Sequence, residues 1–82
     1  MKHRGRHILA DNLKTLRDLH EMTQEDLAGA AQIDRSSISM IERGKFAASV
    51  DMIEKIAAAF HVGIDQMLQA GTGEAERRRL GK

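Results

Sequence analysis

Between residues 24 and 43 the chain has room for two helices of about two turns each, separated only by Gln32, Ile33 and Asp34. Thr23 is a good N-cap residue, and Asp26 three positions on supplies the acid of a capping box, so the first helix runs from Gln24 to about Ala31. Asp34 caps the second, Ile38 and Ile41 recur three apart on one face, and Gly44 stops it after Arg43. A three-residue connection makes the two helices cross at a steep angle, with the small Ala28 where they approach and branched aliphatics where the second packs on the first. This is the geometry that presents a helix N-terminus to the major groove of a DNA duplex.

The rest of the chain supplies a core around that pair. Ile8 or Leu9, Leu13, Leu16 and Leu19 or His20 recur at helical spacing opposite Asp11, Lys14, Arg17 and Asp18, which predicts an amphipathic helix from Ile8 to near His20. A fourth helix, capped by Ser49, buries Val50, Ile53, Ile56, Ala57 and Phe60, and a short fifth holds Ile64, Met67 and Leu68. Nothing alternates at period two and no Asn-Gly or Asp-Gly turn occurs, so no strand is expected. The reading is an all-α, compact five-helix domain over residues 8–70. A basic N-terminal arm (1–7) precedes it, and a polar tail (71–82), frayed or disordered, follows it.

Composition narrows the function. Eighty-two residues hold one core, and 41% hydrophobic with 30% charged residues is a globular balance. There is no cysteine, which excludes disulfides, thiolate chemistry and cysteine-based zinc sites and fits a reducing cytoplasm. No apolar stretch approaches a membrane span and no apolar segment follows the basic start, so neither insertion nor secretion is expected. With no Trp or Tyr and two Phe, the chain cannot build the aromatic platforms that stack single-stranded bases. Net charge is only +1, but it is uneven: residues 1–7 carry +3 and residues 71–82 carry +2, leaving the middle at −4. Such a distribution suits a localised phosphate-facing surface.

Catalysis and metal binding are not expected. The histidines His3, His7, His20 and His61 share no helical face with carboxylates at ligand spacing, and no serine or threonine has a base and orienting acid nearby in sequence. Met22, Met52 and Met67 read as core or interface filler. No cofactor or small-molecule ligand is expected.

Residues 9–68 resemble the helix-turn-helix domain of the phage-repressor and Cro family, the Xre type. The resemblance rests on Leu13-Lys14-Thr15-Leu16-Arg17, on Met22-Thr23-Gln24-Glu25-Asp26-Leu27-Ala28, and on the run from Ile33 to Gly44. Within that family the third run is most similar to the small controller proteins of restriction-modification systems and related single-domain regulators. The resemblance implies a lambda-repressor-like fold and a DNA-binding regulator. It implies that Gln24 holds the DNA backbone and braces the recognition helix, that Thr23 adds a further backbone contact, and that Arg35, Ser36, Ser39 and Met40 face base edges. Arg17 and Glu42 match a pair that bridges the first and recognition helices while the arginine approaches a phosphate; the alternative is an incidental surface pair. Ser37, Arg43 and Lys45 match backbone-contact positions. Arg35 is the strongest base reader, because a guanidinium can bond guanine O6 and N7 together.

Three positions depart from the family pattern. Gln32 stands where glycine is usual, and a left-handed backbone there costs about 1 kcal/mol or more, so a reshaped turn is expected. Glu21 stands where glycine commonly closes the first helix and Ala48 where proline is frequent, and both connections are expected to be looser.

The basic arm has two readings, a minor-groove arm and a solubilising end, and the Arg77-Arg78-Arg79 run is equally open. A single domain of this size reads few base pairs, so an exposed stripe of Val62, Ile64, Met67 and Leu68 is expected to join a homodimer on an inverted repeat of double-stranded DNA. The rival reading is the antitoxin half of a toxin-antitoxin pair, with a protein toxin as partner; Leu80 is the tail's only apolar anchor, which weighs against it. Activation would instead require contact with RNA polymerase, for which no residue stands out.

Overall fold

The computed structural model describes residues 4–82 and contains six helices: α1 (Arg4–Leu19), α2 (Gln24–Ala31), α3 (Arg35–Glu42), α4 (Val50–Ala59), α5 (Ile64–Met67) and α6 (Thr72–Arg79). No strand occurs among the described residues. The N-terminal boundaries of α2, α3 and α4 follow from their caps. Thr23 Oγ1 accepts from the Asp26 N–H at 3.0 Å while Asp26 Oδ2 accepts from the Thr23 N–H at 2.9 Å, a reciprocal capping box. Asp34 Oδ2 accepts from the Ser37 N–H at 3.0 Å, and Ser49 Oγ accepts from the Met52 N–H at 3.1 Å. These bonds favour the ionised carboxylates and hold Asp26 and Asp34 below the ordinary aspartate range, chiefly through Thr23 and Ser37 respectively.

The C-terminal boundaries share one device. After α2 the Ile33 N–H bonds Ala28 O and the Gln32 N–H bonds Gly29 O, the paired pattern of a Schellman motif. The same pair of bonds closes α1 at Glu21 and Met22, α3 at Gly44 and Lys45, and α4 at His61 and Val62. The motif demands a left-handed residue. Gly44 adopts it freely, whereas Glu21, Gln32 and His61 adopt φ of 54°, 56° and 59° despite their side chains. The turn between α2 and α3 is therefore not reshaped by its missing glycine; it keeps the motif and carries the strain.

The core is a single layer of aliphatics shared by α1 to α5. Leu13, Leu16, Leu27, Ile38, Ile41, Ile56 and Met67 are fully buried, and Phe60 closes the cluster. Each such burial stabilises by roughly 1.5–3 kcal/mol. Val50 does not join them: at the first position of α4 it stands past the end of the packed stripe, 64% exposed.

Two expectations about the chain ends are corrected. The helix expected from Ile8 begins at Arg4, since Arg favours helix and no proline interrupts propagation from the nucleated segment; most of the supposed arm is thus helical. Met1 to His3 lie outside the described residues. The supposed frayed tail forms α6 and packs along α1. The cause is a buried polar residue rather than an apolar stripe: Asn12, 2% exposed, donates to Met67 O and Gln69 O, both at 2.9 Å, and accepts from the Gly73 N–H at 3.1 Å. Thr72 adds hydroxyl bonds to Gln66 O and Gln69 O. A Cβ on Gly73 would fall 2.6 Å from Thr15 Cβ, so only glycine allows α6 this close.

Because Gln32 carries left-handed strain in an otherwise intact motif, Gln32→Gly is expected to stabilise the fold by about 0.5–1 kcal/mol. This is the relieved strain less the extra freedom of the unfolded glycine. Urea unfolding of the two proteins measures it.

Candidate nucleic-acid interface

α3 buries Ile38, Ile41 and Glu42 and turns its opposite face outward. Arg35, Ser36 and Met40 are exposed and Ser39 is half-buried; at spacings of one, four and five they share that face. The four positions predicted to face base edges therefore lie together on one surface.

Behind this surface runs a chain of side-chain bonds. Glu42, only 7% exposed, receives Arg17 Nε on Oε2 at 2.7 Å and Arg17 Nη2 on Oε1 at 3.3 Å. Arg17 Nη1 donates to Met22 O at 2.9 Å, so the guanidinium fixes the end of α1, the α1–α2 turn and the end of α3 at once. The Glu42 hydrogen bond raises the Arg17 pKa above its ordinary value. Glu42 Oε1 also accepts from Gln24 Nε2 at 3.1 Å. A carboxylate can only accept, so the Gln24 amide must turn its nitrogen inward and its oxygen outward. That oxygen accepts from Arg35 Nη1 at 3.2 Å. Arg17, Glu42, Gln24 and Arg35 thus form one oriented series from α1 through α3 and α2 back to the start of α3. The family resemblance implied the first link and a bracing of the recognition helix by Gln24; the partners of that brace, Glu42 on one side and Arg35 on the other, appear only when α2 and α3 are set side by side.

The backbone-contact candidates divide. Thr23 is exposed, and its hydroxyl oxygen caps α2 by accepting, which leaves its proton available to a phosphate. Lys45 is exposed and makes no ion pair among the described residues. Arg43 is exposed and lies back over α3, with 3.5 Å contacts to Ser39 O and Met40 Sδ. Ser37 is engaged otherwise: its Oγ donates to Asp34 Oδ1 at 2.9 Å, so in the cap it offers a phosphate no proton.

The stripe expected to join two copies is not intact. Met67 is fully buried in the core, because α5 turns it inward under α4; Val62 and Ile64 are half-buried against the core, and only Leu68 is substantially exposed, at 45%.

A helix-turn-helix family model, HTH_3, matches residues 13–67. The chain belongs to this Xre/Cro-type helix-turn-helix family. An uncharacterized HTH-type transcriptional regulator from Methanocaldococcus jannaschii is 41% identical over 59 residues, covering 72% of this chain and 89% of that protein. The antitoxin PezA of Streptococcus pneumoniae is 34% identical over 67 residues, covering 74% of this chain and 42% of the antitoxin. The crystal structure of a hypothetical transcription factor from Neisseria superposes with a TM-score of 0.78 at 34% identity, over 93% of this chain and 84% of that one. A family regulator from Vibrio cholerae shares the fold, at a TM-score of 0.75 and 19% identity. This helix-turn-helix protein is accordingly of the DNA-binding regulator class, and it spans less than half of the Streptococcus relative. Helix α6 lies beyond the residues that the family model matches.

Removing Arg17 leaves the Glu42 carboxylate buried with Gln24 alone, whereas removing Glu42 leaves Arg17 partly exposed and still bonded to Met22. Arg17→Met is therefore expected to destabilise by about 3 kcal/mol, Glu42→Leu by less, and the double variant by clearly less than the two combined. A double-mutant cycle by urea unfolding reads the coupling; additive losses would show an incidental pair.

Proposed function

We propose that this protein is a sequence-specific reader of double-stranded DNA that acts as a homodimer on an inverted-repeat operator, each α3 entering the major groove of one half-site. The observation that carries the proposal is the oriented series ending at Arg35. It holds a guanidinium at the N-terminus of the exposed helix, where it meets guanine O6 and N7 at a discrimination of about 1–3 kcal/mol. Ser36 and Ser39 supply adaptable hydroxyls and Met40 an apolar contact for a thymine methyl. Thr23, Gln24, Arg43 and Lys45 position the domain through phosphates, with Arg17 approaching the backbone from behind Glu42.

Dimerisation follows from size, since one domain of 82 residues reads few base pairs, and two-fold half-sites lie about one helical turn apart. With Met67 in the core, the contact between copies centres on Leu68 at the end of α5, flanked by the half-buried Ile64 and Val62. Occupancy of a promoter would repress by excluding polymerase, and activation would need a polymerase-contacting surface. The similarity to a Streptococcus antitoxin supports a second reading, in which the same domain binds DNA and a protein toxin.

In-vitro selection from a random duplex library at one fixed salt concentration is expected to enrich an inverted repeat. Arg35→Ala should lose about 1–3 kcal/mol and relax one base position per half-site, while Lys45→Ala should weaken all sequences alike. The same sequence-blind loss for both would contradict the division of roles, and absence of any enriched duplex would favour the protein-partner reading. Leu68→Glu should keep the helical content of the folded domain and convert the dimer to monomer in sedimentation; an unchanged dimer would move the interface elsewhere.

A further inference from the structure

We propose that Arg6 and His7, on the first turns of α1, extend the phosphate contact already assigned to Lys45 into a clamp around the Gly44 turn, an addition to the backbone contacts at the start of α2 and after α3. The inference rests on the duplex-binding reading given above and extends its footprint to a part of the chain that precedes the family-matched residues.

Position supports it first. Gly44 follows directly on α3 with φ of +68°, and a Cβ built on it would lie 3.3 Å from His7 Nδ1. The His7 imidazole therefore lies against the Gly44 turn, and the glycine makes room for it. Arg6 precedes Leu13 by seven residues and Arg17 by eleven, so it stands three turns above Arg17 on the stripe of α1 that faces α3. Arg6 is half-buried and His7 is exposed.

Electrostatics supports it second. The first turn of α1 holds Arg4 and Arg6 with no acid, the reverse of what a helix N-terminus favours. Neither arginine makes an ion pair among the described residues. Exposed Lys45 and Arg43 flank the same turn from the other side. His7, next to Arg6 on α1, thus lies against the turn that Arg43 and Lys45 flank, and the unpaired positive charge of the first turn of α1 raises the helix energy in the free protein and is relieved by an external polyanion. A DNA strand held at α3 provides one: Arg6 Nη and Lys45 Nζ donate to phosphate oxygens, and His7 donates from its ring N–H.

The test is the salt dependence of binding to the duplex enriched by the wild-type protein, measured with the full chain as wild type, Arg6→Gln, and Arg6→Gln with Lys45→Gln. Each lost phosphate contact should reduce the slope of log K against log salt by about one, so the single and double variants should fall by about one and two. The enriched sequence should stay the same. Because glutamine removes a cation from a helix N-terminus, the thermal midpoint of Arg6→Gln should be unchanged or higher, which separates lost contact from lost fold. A wild-type protein that binds with a normal slope, together with an Arg6→Gln protein whose slope and affinity match it, would overturn this clamp alone. A wild-type protein with no salt-dependent duplex binding would overturn both the clamp and the reading on which it rests.

Discussion

The buried carboxylate of Glu42 is the constraint around which the functional face is organised. It sits at the end of α3, 7% exposed, and a charge in that position is tolerable only if its lone pairs are satisfied. Two of the three donors come from Arg17 and one from Gln24. Three helices are thereby referenced to one group, and the orientation of the Gln24 amide becomes a consequence of it rather than a free choice. The position of the Arg35 guanidinium follows in turn. A fully apolar replacement of the pair could be as stable, but it would leave Gln24 free to rotate and the reading arginine without a fixed neighbour.

A second polar group plays the corresponding part at the other side of α1. Asn12 uses both its N–H donors and its carbonyl oxygen against the backbone of the α5–α6 connection and the start of α6. The domain therefore uses apolar packing for cohesion and two buried polar residues, Asn12 and Glu42, for register. Both lie on or against α1, which makes that helix the frame on which the DNA-facing pair and the C-terminal helix are separately mounted.

Much of this was legible in the sequence because it depends on local chemistry. Thr23, Asp34 and Ser49 announce helix starts through their own hydroxyls and carboxylates, and the aliphatic periodicity from Leu13 to Phe60 marks the core. The family resemblance implied the bridge between Arg17 and Glu42. What stayed hidden depended on tertiary neighbours. Helix α6 has no apolar stripe, so only the distant Asn12 and the close approach at Gly73 explain why it docks. Met67 reads as part of an exposed stripe until α5 is packed and turns it inward. The bond from Gln24 to Arg35 joins residues eleven apart and depends on the crossing of α2 and α3. Gln32 shows the opposite case: the turn that its side chain disfavours forms anyway, because the bonds from Gln32 and Ile33 back into α2 and the core residues on either side outweigh the strain.

The most direct test of the account is a crystal structure of the protein bound to its selected duplex. In that complex α3 is expected in the major groove, the Arg35 guanidinium on a guanine edge, and the Arg17–Glu42–Gln24 bonds unchanged behind it. Arg35 lying on a phosphate, with α3 outside the groove or the Gln24 amide turned away from Glu42, would contradict the claim that the buried carboxylate sets the reading position.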